Sequence, residues 1–209
     1  APDFMPARYN LAVVLHRQNR PADALREVDR LLKGDPGNAG ARNLKAAILA
    51  RIGEVQQSAE IYRQILDEHP GHPKIWQSYG HSLKTAGRQE ESIAAYRRSI
   101  ELAPAFGEAY WSLANLKTFR FAADDVRAML DQLAADDVEI EDRFHFHFAL
   151  GKALEDRVQR TLVTSPVRGI VKQLLVNTIG GVIQPGSDLV EIVPLDDTLL
   201  IEARIRPQD

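Results

Sequence analysis

Four prolines, Pro2, Pro36, Pro70 and Pro104, stand 34 residues apart. A fixed period of that length marks a solenoid, in which one supersecondary unit stacks on copies of itself. Other columns keep the same time. Leu15, Leu49 and Leu83 recur at this interval, as do the small residues Ala12, Ala46, Gly80 and Ala114. Asn19, Gly53 and Gly87 fall where two helices must turn, and Tyr62 and Tyr96 repeat in the second helix. Small residues let helices approach, Gly or Asn tolerates the turn, and proline stops the second helix. A helical hairpin is thus written out three times, with a fourth and less regular copy.

Apolar residues at helical spacing support this reading: Ala24, Leu25, Val28, Leu31 and Leu32 in one unit, Ile61, Tyr62, Ile65 and Leu66 in the next. Helices are expected near 6–18, 21–33, 39–52, 55–68, 73–86, 89–102, 107–118 and 123–135. A ninth, near 141–155, carries Phe144, Phe148, Leu150 and Leu154 and is expected to cap the array.

These columns resemble the tetratricopeptide repeat family. The units are 5–38, 39–72, 73–106 and a divergent 107–140. The third matches best, with Trp76, Tyr79, Gly80, Leu83, Gly87, Tyr96 and Pro104 in the family's places. The first has Arg8 where an aromatic is usual and the second has Lys45 in place of Leu. The fourth has Phe121 at the turn and no closing proline. The expected fold class is therefore mainly α, a helical-hairpin solenoid over 1–156, followed by a small all-β segment over 157–209.

The grammar changes near residue 157, where the chain becomes rich in Val, Ile, Thr, Gly and Pro. The run 200–206 alternates apolar and charged residues, the signature of a half-buried strand, and 168–176 and 188–193 also read as strands. Gly180-Gly181 and Pro185-Gly186 punctuate them. The stretch from Ser165 to Val193 resembles the second half of the lipoyl-like domain of haemolysin D-type periplasmic adaptors, the membrane fusion proteins of type I secretion. Asp197 to Asp209 is similar to the entry into the β-barrel that follows there. That family's anchor, first lipoyl half, coiled-coil hairpin and most of its barrel have no counterpart here. The half-sandwich is expected to be marginal unless it docks or dimerises, because its edges and one apolar face stay open. Lys172, within a strand, reads as a solvated charge rather than a lipoylation site.

The helical part has a second resemblance. FGEAYWSLANLKTFRF followed by EDRFHFHFALGKALED is similar to the repeats that precede the catalytic domain of tetratricopeptide-repeat sulfotransferases. No Gly-rich phosphate-cradling loop between a strand and a helix follows, so the resemblance implies ancestry without that activity. The start at APDF and the stop at RPQD read as the ends of a fragment or processed product.

Composition excludes several classes of function. A net charge of −3 is too small to argue for nucleic acid or for an anionic membrane surface, and neither is expected as a partner. No cysteine is present, which excludes disulfides and thiolate metal sites. No apolar run reaches the roughly 18 residues of a membrane span, and no secretory signal opens the chain. His69 and His72 flank the Pro70-Gly71 turn, and His145 and His147 share the last helix. Neither pair has the i, i+4 spacing of a two-histidine metal face. Asp124-Asp125 reads as the charged start of a helix and Asp136-Asp137 as part of the connection after it. Ser165 precedes a proline, and no histidine follows to serve it as a base. No catalysis, metal or cofactor is expected.

Binding remains. Stacked hairpins curve so that their first helices line a groove, and the family resemblance places groove residues at positions 2, 5, 9, 12 and 13 of each unit. Carried onto this chain they are Tyr9, His16, Arg17, Asn43, Arg51, Lys74, Gln77, His81, Lys84, Trp111, Asn115 and Phe119. The set is basic in the middle and aromatic toward Trp111, which suits an extended protein or peptide ligand carrying acidic groups. Asn43 and Lys74 partly echo the carboxylate clamp of some family members, while Val13 and Ala47 stand where polar residues would help one. The leading expectation is a non-enzymatic interaction scaffold. The alternatives are a component of a type I secretion adaptor, with secretion-system partners, and a non-catalytic remnant of a sulfotransferase. The repeats suit the cytoplasm, the adaptor-like tail the periplasm or inner membrane.

Overall fold

The computed structural model describes residues 5–135, 137–161, 168–175 and 188–195, with side chains of the last helix described as far as Asp156. Nine helices lie among these residues: α1 (Met5–Arg17), α2 (Pro21–Gly34), α3 (Ala39–Arg51), α4 (Val55–Glu68), α5 (Pro73–Thr85), α6 (Gln89–Leu102), α7 (Gly107–Ala114), α8 (Ala123–Ala134) and α9 (Ile140–Thr161). Two strands, β1 (Gly169–Leu174) and β2 (Val190–Pro194), form a separate antiparallel pair. The chain divides into two units, 1–159 and 160–209.

Three helix ends close in the same way, and the turn column explains why. Asn19, Gly53 and Gly87 have φ of 58°, 90° and 78°. Behind each, the next residue's N–H reaches back to the leucine column: Arg20 to the Leu15 carbonyl, Glu54 to Leu49 and Arg88 to Leu83, each at 2.9 Å. The turn residue's own N–H bonds one residue further on, Asn19 to His16 at 3.1 Å, Gly53 to Ala50 at 3.2 Å and Gly87 to Lys84 at 3.1 Å. This paired closure satisfies carbonyls that a helix end leaves without partners. Pro73 opens α5 and Pro21 opens α2, where the missing N–H costs nothing. Asn38 caps α3 by accepting the Ala41 N–H at 2.9 Å.

The fourth hairpin lacks this closure. Phe121 stands in the glycine column, and a left-handed phenylalanine costs roughly 1–2 kcal/mol. The chain instead leaves the helix early, through short turns from Leu116 N–H to the Leu113 carbonyl and from Phe119 N–H to the Leu116 carbonyl. Consequently α7 ends at Ala114 rather than near 118. Downstream, Asp125 accepts the Ala122 N–H at 2.8 Å and ties off the first turn of α8. Arg97 of α6 donates to the same carboxylate at 2.9 Å. Burial opposes charge on Asp125, but the bonds from Arg97 and Ala122 outweigh it and hold the carboxyl below its usual range. Asp137 lies in the connection between α8 and α9; Asp136 lies outside the described residues. α9 continues through Thr161 instead of ending at 155.

The column geometry makes a direct prediction. At Gly87 an added Cβ would meet nothing within 4 Å, so only the backbone resists a larger residue. Gly87→Val is expected to lower the unfolding free energy by about 1–2 kcal/mol, whereas Gly87→Asn should change it little, since Asn19 already holds the equivalent conformation. Urea unfolding followed by circular dichroism distinguishes the two.

Packing runs from each hairpin to its neighbour. The first core cluster joins α1, α2 and α3 through Ala12, Leu15, Val28, Leu31, Leu44 and Ile48. The next two carry Tyr62, Ile65, Leu83 and Ala95. Tyr96, Leu113 and Leu116 continue the series, and Tyr110, Met129, Phe146 and Leu150 lock α7, α8 and α9 together. The helices of the third unit come close at Gly80, where a Cβ would stand 2.5 Å from the Tyr96 ring. Ser92 then donates to the Gly80 carbonyl at 2.8 Å.

In the second unit, β1 pairs with β2 with Gly169 opposite Pro194 and Leu174 opposite Val190, and the register shifts between Val171 and Gln173. Lys172 is exposed and bridges to Glu191 across the pair at 2.6 Å. The strand expected at 200–206 lies outside the described residues, as does all of the stretch that resembles the barrel entry. No described helix is long and apolar enough to cross a membrane.

Candidate functional site

The curvature of the helical unit can be read from which helices touch. α1 contacts α3, α3 contacts α5 and α5 contacts α7, while among the described residues α2, α4 and α6 do not meet one another. A stack whose first helices are close and whose second helices are spread apart bends toward the first helices, so these form the inner face.

On that face the residues expected from the sequence fall into two groups. Arg17, Arg51, Lys74, Lys84 and Asn115 are exposed. Tyr9, His16, Asn43, His81 and Trp111 are half-buried. Arg51 of α3 donates to the His16 carbonyl of α1 at 3.5 Å, linking neighbouring inner helices. Burial, helped by the Arg51 charge, pushes the His16 imidazole below its ordinary value. Its Nδ1 is buried without a hydrogen-bond partner among the described residues. Lys74 lies 5.9 Å from the Phe106 ring, within cation–π range. Tyr9 packs against the first core cluster and, with Met5, Leu31, Asn38 and Gly40, lines a hollow of about 320 Å³.

Three residues behave differently from the expectation. Gln77 is 5 % exposed and donates to Ser112 at 3.5 Å, so it joins α5 to α7 rather than facing a ligand. Phe119 is not on an inner helix at all. Because α7 stops at Ala114, Phe119 folds back onto the cluster of Tyr96, Leu113 and Leu116, edge-on to Phe121 at 5.0 Å and under Arg97 at 5.1 Å. Asn115 is exposed, but its amide donates to the Trp111 carbonyl at 2.8 Å.

His81 shows how a second helix supports the face. Its Nδ1 lies 2.9 Å from the Tyr96 hydroxyl. Burial pushes His81 below its ordinary value, with Glu108 opposing and Lys84 reinforcing the shift. Burial also raises the Tyr96 phenol to about 12. Both rings are thus neutral near pH 7, which leaves Nε2 of His81 as the histidine's remaining polar atom.

Two residues that sequence reasoning passed over belong to this face. His145 stands 34 residues after Trp111 and Asp142 the same distance after Glu108, so α9 keeps the repeat phase and supplies a fifth inner helix. Trp111 is packed by His145 at 5.8 Å and Phe148 at 6.2 Å between ring centroids. Asp142 accepts the Gly107 N–H at 2.8 Å, fixing α9 at the start of α7. The signal was available: the proline period simply had to be carried past residue 140. Among the described residues no group of three or more His, Asp or Glu is placed to hold a metal ion.

The fold is thus a solenoid of helical hairpins with a cationic inner face. Residues 9–73 and 73–106 each match the tetratricopeptide repeat family. The peroxisomal targeting signal receptor of Eremothecium gossypii is 32% identical over 129 residues, 59% of this chain and 21% of that protein. The chromosomal haemolysin secretion protein D of Escherichia coli is 44% identical across 55 residues, 26% of this chain and 12% of that protein. The chain spans about a fifth of the first relative and about an eighth of the second. Among solved structures, MamA 41-end from Desulfovibrio magneticus RS-1 superposes with a TM-score of 0.51 at 15% identity, over 74% of this chain and 77% of that one. At that identity the likeness is one of fold.

Proposed function

We propose that the repeats form a non-enzymatic interaction scaffold whose inner face takes an extended, acidic segment of a partner protein. One observation carries the reading. Most arginines elsewhere in the array are held by carboxylates, as Arg42 is by Glu68, Arg63 by Asp67 and Arg88 by Glu91, whereas Arg143 bonds the Ala135 carbonyl. By contrast Arg17, Arg51, Lys74 and Lys84, all on inner helices, meet no carboxylate among the described residues. Four uncompensated cations along one face leave charge-assisted hydrogen bonds to be made by a ligand. Trp111 adds apolar contact at one end, with His145 behind it. The peroxisomal targeting signal receptor, as its name states, receives a targeting signal, which is consistent with a repeat face that reads a protein segment.

Fluorescence anisotropy with labelled acidic peptides, and basic peptides of equal length as controls, tests this. Acidic peptides are expected to bind, with affinity falling as salt rises. Lys74→Glu combined with Lys84→Glu should weaken binding at least about tenfold while the helical circular dichroism stays unchanged. Equal binding of acidic and basic peptides, or an unaffected double variant, overturns the reading.

A second reading concerns residues 157–209, which are proposed to act as a component of a type I secretion adaptor. Its support is the 44% identity to haemolysin secretion protein D over 55 residues. Under it, the chain is retained with the inner-membrane fraction of cells and is released when truncated after Glu155.

A further inference from the structure

The fourth position of every unit touches that unit's own second helix. Arg8 pairs with Glu27 of α2 at 2.7 Å, and Arg42 bonds Glu68 of α4 at 2.7 Å. Trp76 packs with Ala95 of α6, and Tyr110 with Met129 of α8. Phe144 of α9 holds the same position, and no helix follows α9 among the described residues. Phe144 is 74 % exposed, Ile140 84 % and Leu154 54 %, with Phe148 at the edge of the same stripe. His147 and Gly151 are exposed between them.

This stripe is complementary to itself when reversed. With about 100° per residue, Ile140, Phe144, Gly151 and Leu154 lie on one side of α9, and Glu141 and Lys152 flank it on the same edge. Two α9 helices laid antiparallel about a two-fold axis between His147 and Phe148 bring residue pairs together from opposite ends. Phe144 of one copy then lies over Gly151 of the other, where a Cβ would meet nothing within 4 Å, so the ring has room to seat. Ile140 meets Leu154, and the two Phe148 rings meet near the axis. Glu141 comes alongside Lys152, whose ion-pair partner among the described residues of its own chain is the exposed Glu155 at 2.8 Å. A parallel pairing would instead oppose Glu141 to Glu141 and Phe144 to Phe144. We infer that α9 is a homodimerisation helix, with a second copy of this chain, antiparallel, as the occupant of its exposed face.

The inference is independent of the peptide-binding reading. Light scattering on the full chain should give twice the single-chain mass at high concentration and the single-chain mass on dilution. Phe144→Glu is expected to raise the dissociation constant at least about tenfold with unchanged helix content, since that side chain makes little contact within its own chain. The absence of native cysteine allows a sharper test. His147→Cys, near the axis, should cross-link to itself with a short bismaleimide. Ile140→Cys should not, because its two copies would lie roughly 20 Å apart along the helices; it should cross-link when mixed with Leu154→Cys. A monomer at every concentration, a dimer indifferent to Phe144→Glu, or self-linking of Ile140→Cys each overturns the proposal. If the His147→Cys variant is such a monomer and its thiol resists maleimide, another segment of its own chain covers the face instead.

Discussion

Replacing Tyr96 by alanine is expected to lower the unfolding free energy by about 3–5 kcal/mol, among the largest losses from any single substitution in the array. Tyr96 is fully buried, its ring fills the space that Gly80 leaves between α5 and α6, and its hydroxyl meets His81. Alanine removes the ring, and the neighbouring backbone cannot collapse into the space because Ser92 holds the Gly80 carbonyl in place. Tyr96→Phe separates the contributions. It keeps the ring and loses one hydrogen bond, so about 0.5–1.5 kcal/mol is expected. Chemical denaturation of both variants checks the pair of values. Similar losses for the two would mean that the hydroxyl bond, not ring packing, dominates this junction.

Phe146→Ala is expected to cost a comparable amount, about 3–5 kcal/mol, but with a different distribution. Phe146 is fully buried against Tyr110, at 5.2 Å between ring centroids, and shares its cluster with Met129 of α8 and Leu150 of its own helix. In a repeat array each unit leans only on its neighbours. The loss should therefore appear as faster amide hydrogen exchange across 107–156, with protection in 5–86 nearly unchanged. Tyr96→Ala, in the middle, should instead expose amides on both sides. Uniform loss of protection in both variants would show that the array unfolds as one cooperative block.

Much of this architecture was legible because the sequence repeats a physical solution rather than a composition. The Asn19, Gly53 and Gly87 column specified the helix closures, and the leucine column supplied the carbonyls that complete them. The departure of Phe121 from that column was visible. Its consequence, an α7 ending at Ala114 and a displaced Phe119, depends on where a chain denied a left-handed residue turns instead, which a column does not encode. Gln77 occupies a groove position by register, yet its amide bonds Ser112, because inner helices in contact satisfy each other's polar groups first. His145 went unassigned because the last helix read as a cap, whereas Asp142 bonded to Gly107 keeps it in phase with the repeats.

The uneven spacing of the two helical layers has a mechanical meaning. Inner helices in contact act as a backbone of fixed length, while the outer helices, free of one another, can spread or close like the coils of a leaf spring. Small rotations at each hairpin junction then widen or narrow the inner face without breaking any core cluster, and the changes add along the stack. Under the proposed reading, such a surface would match its pitch to the rise of an extended ligand, about 3.3 Å per residue. Ligand capture in this geometry would register as a change in the elasticity of the whole array rather than as the movement of any single loop.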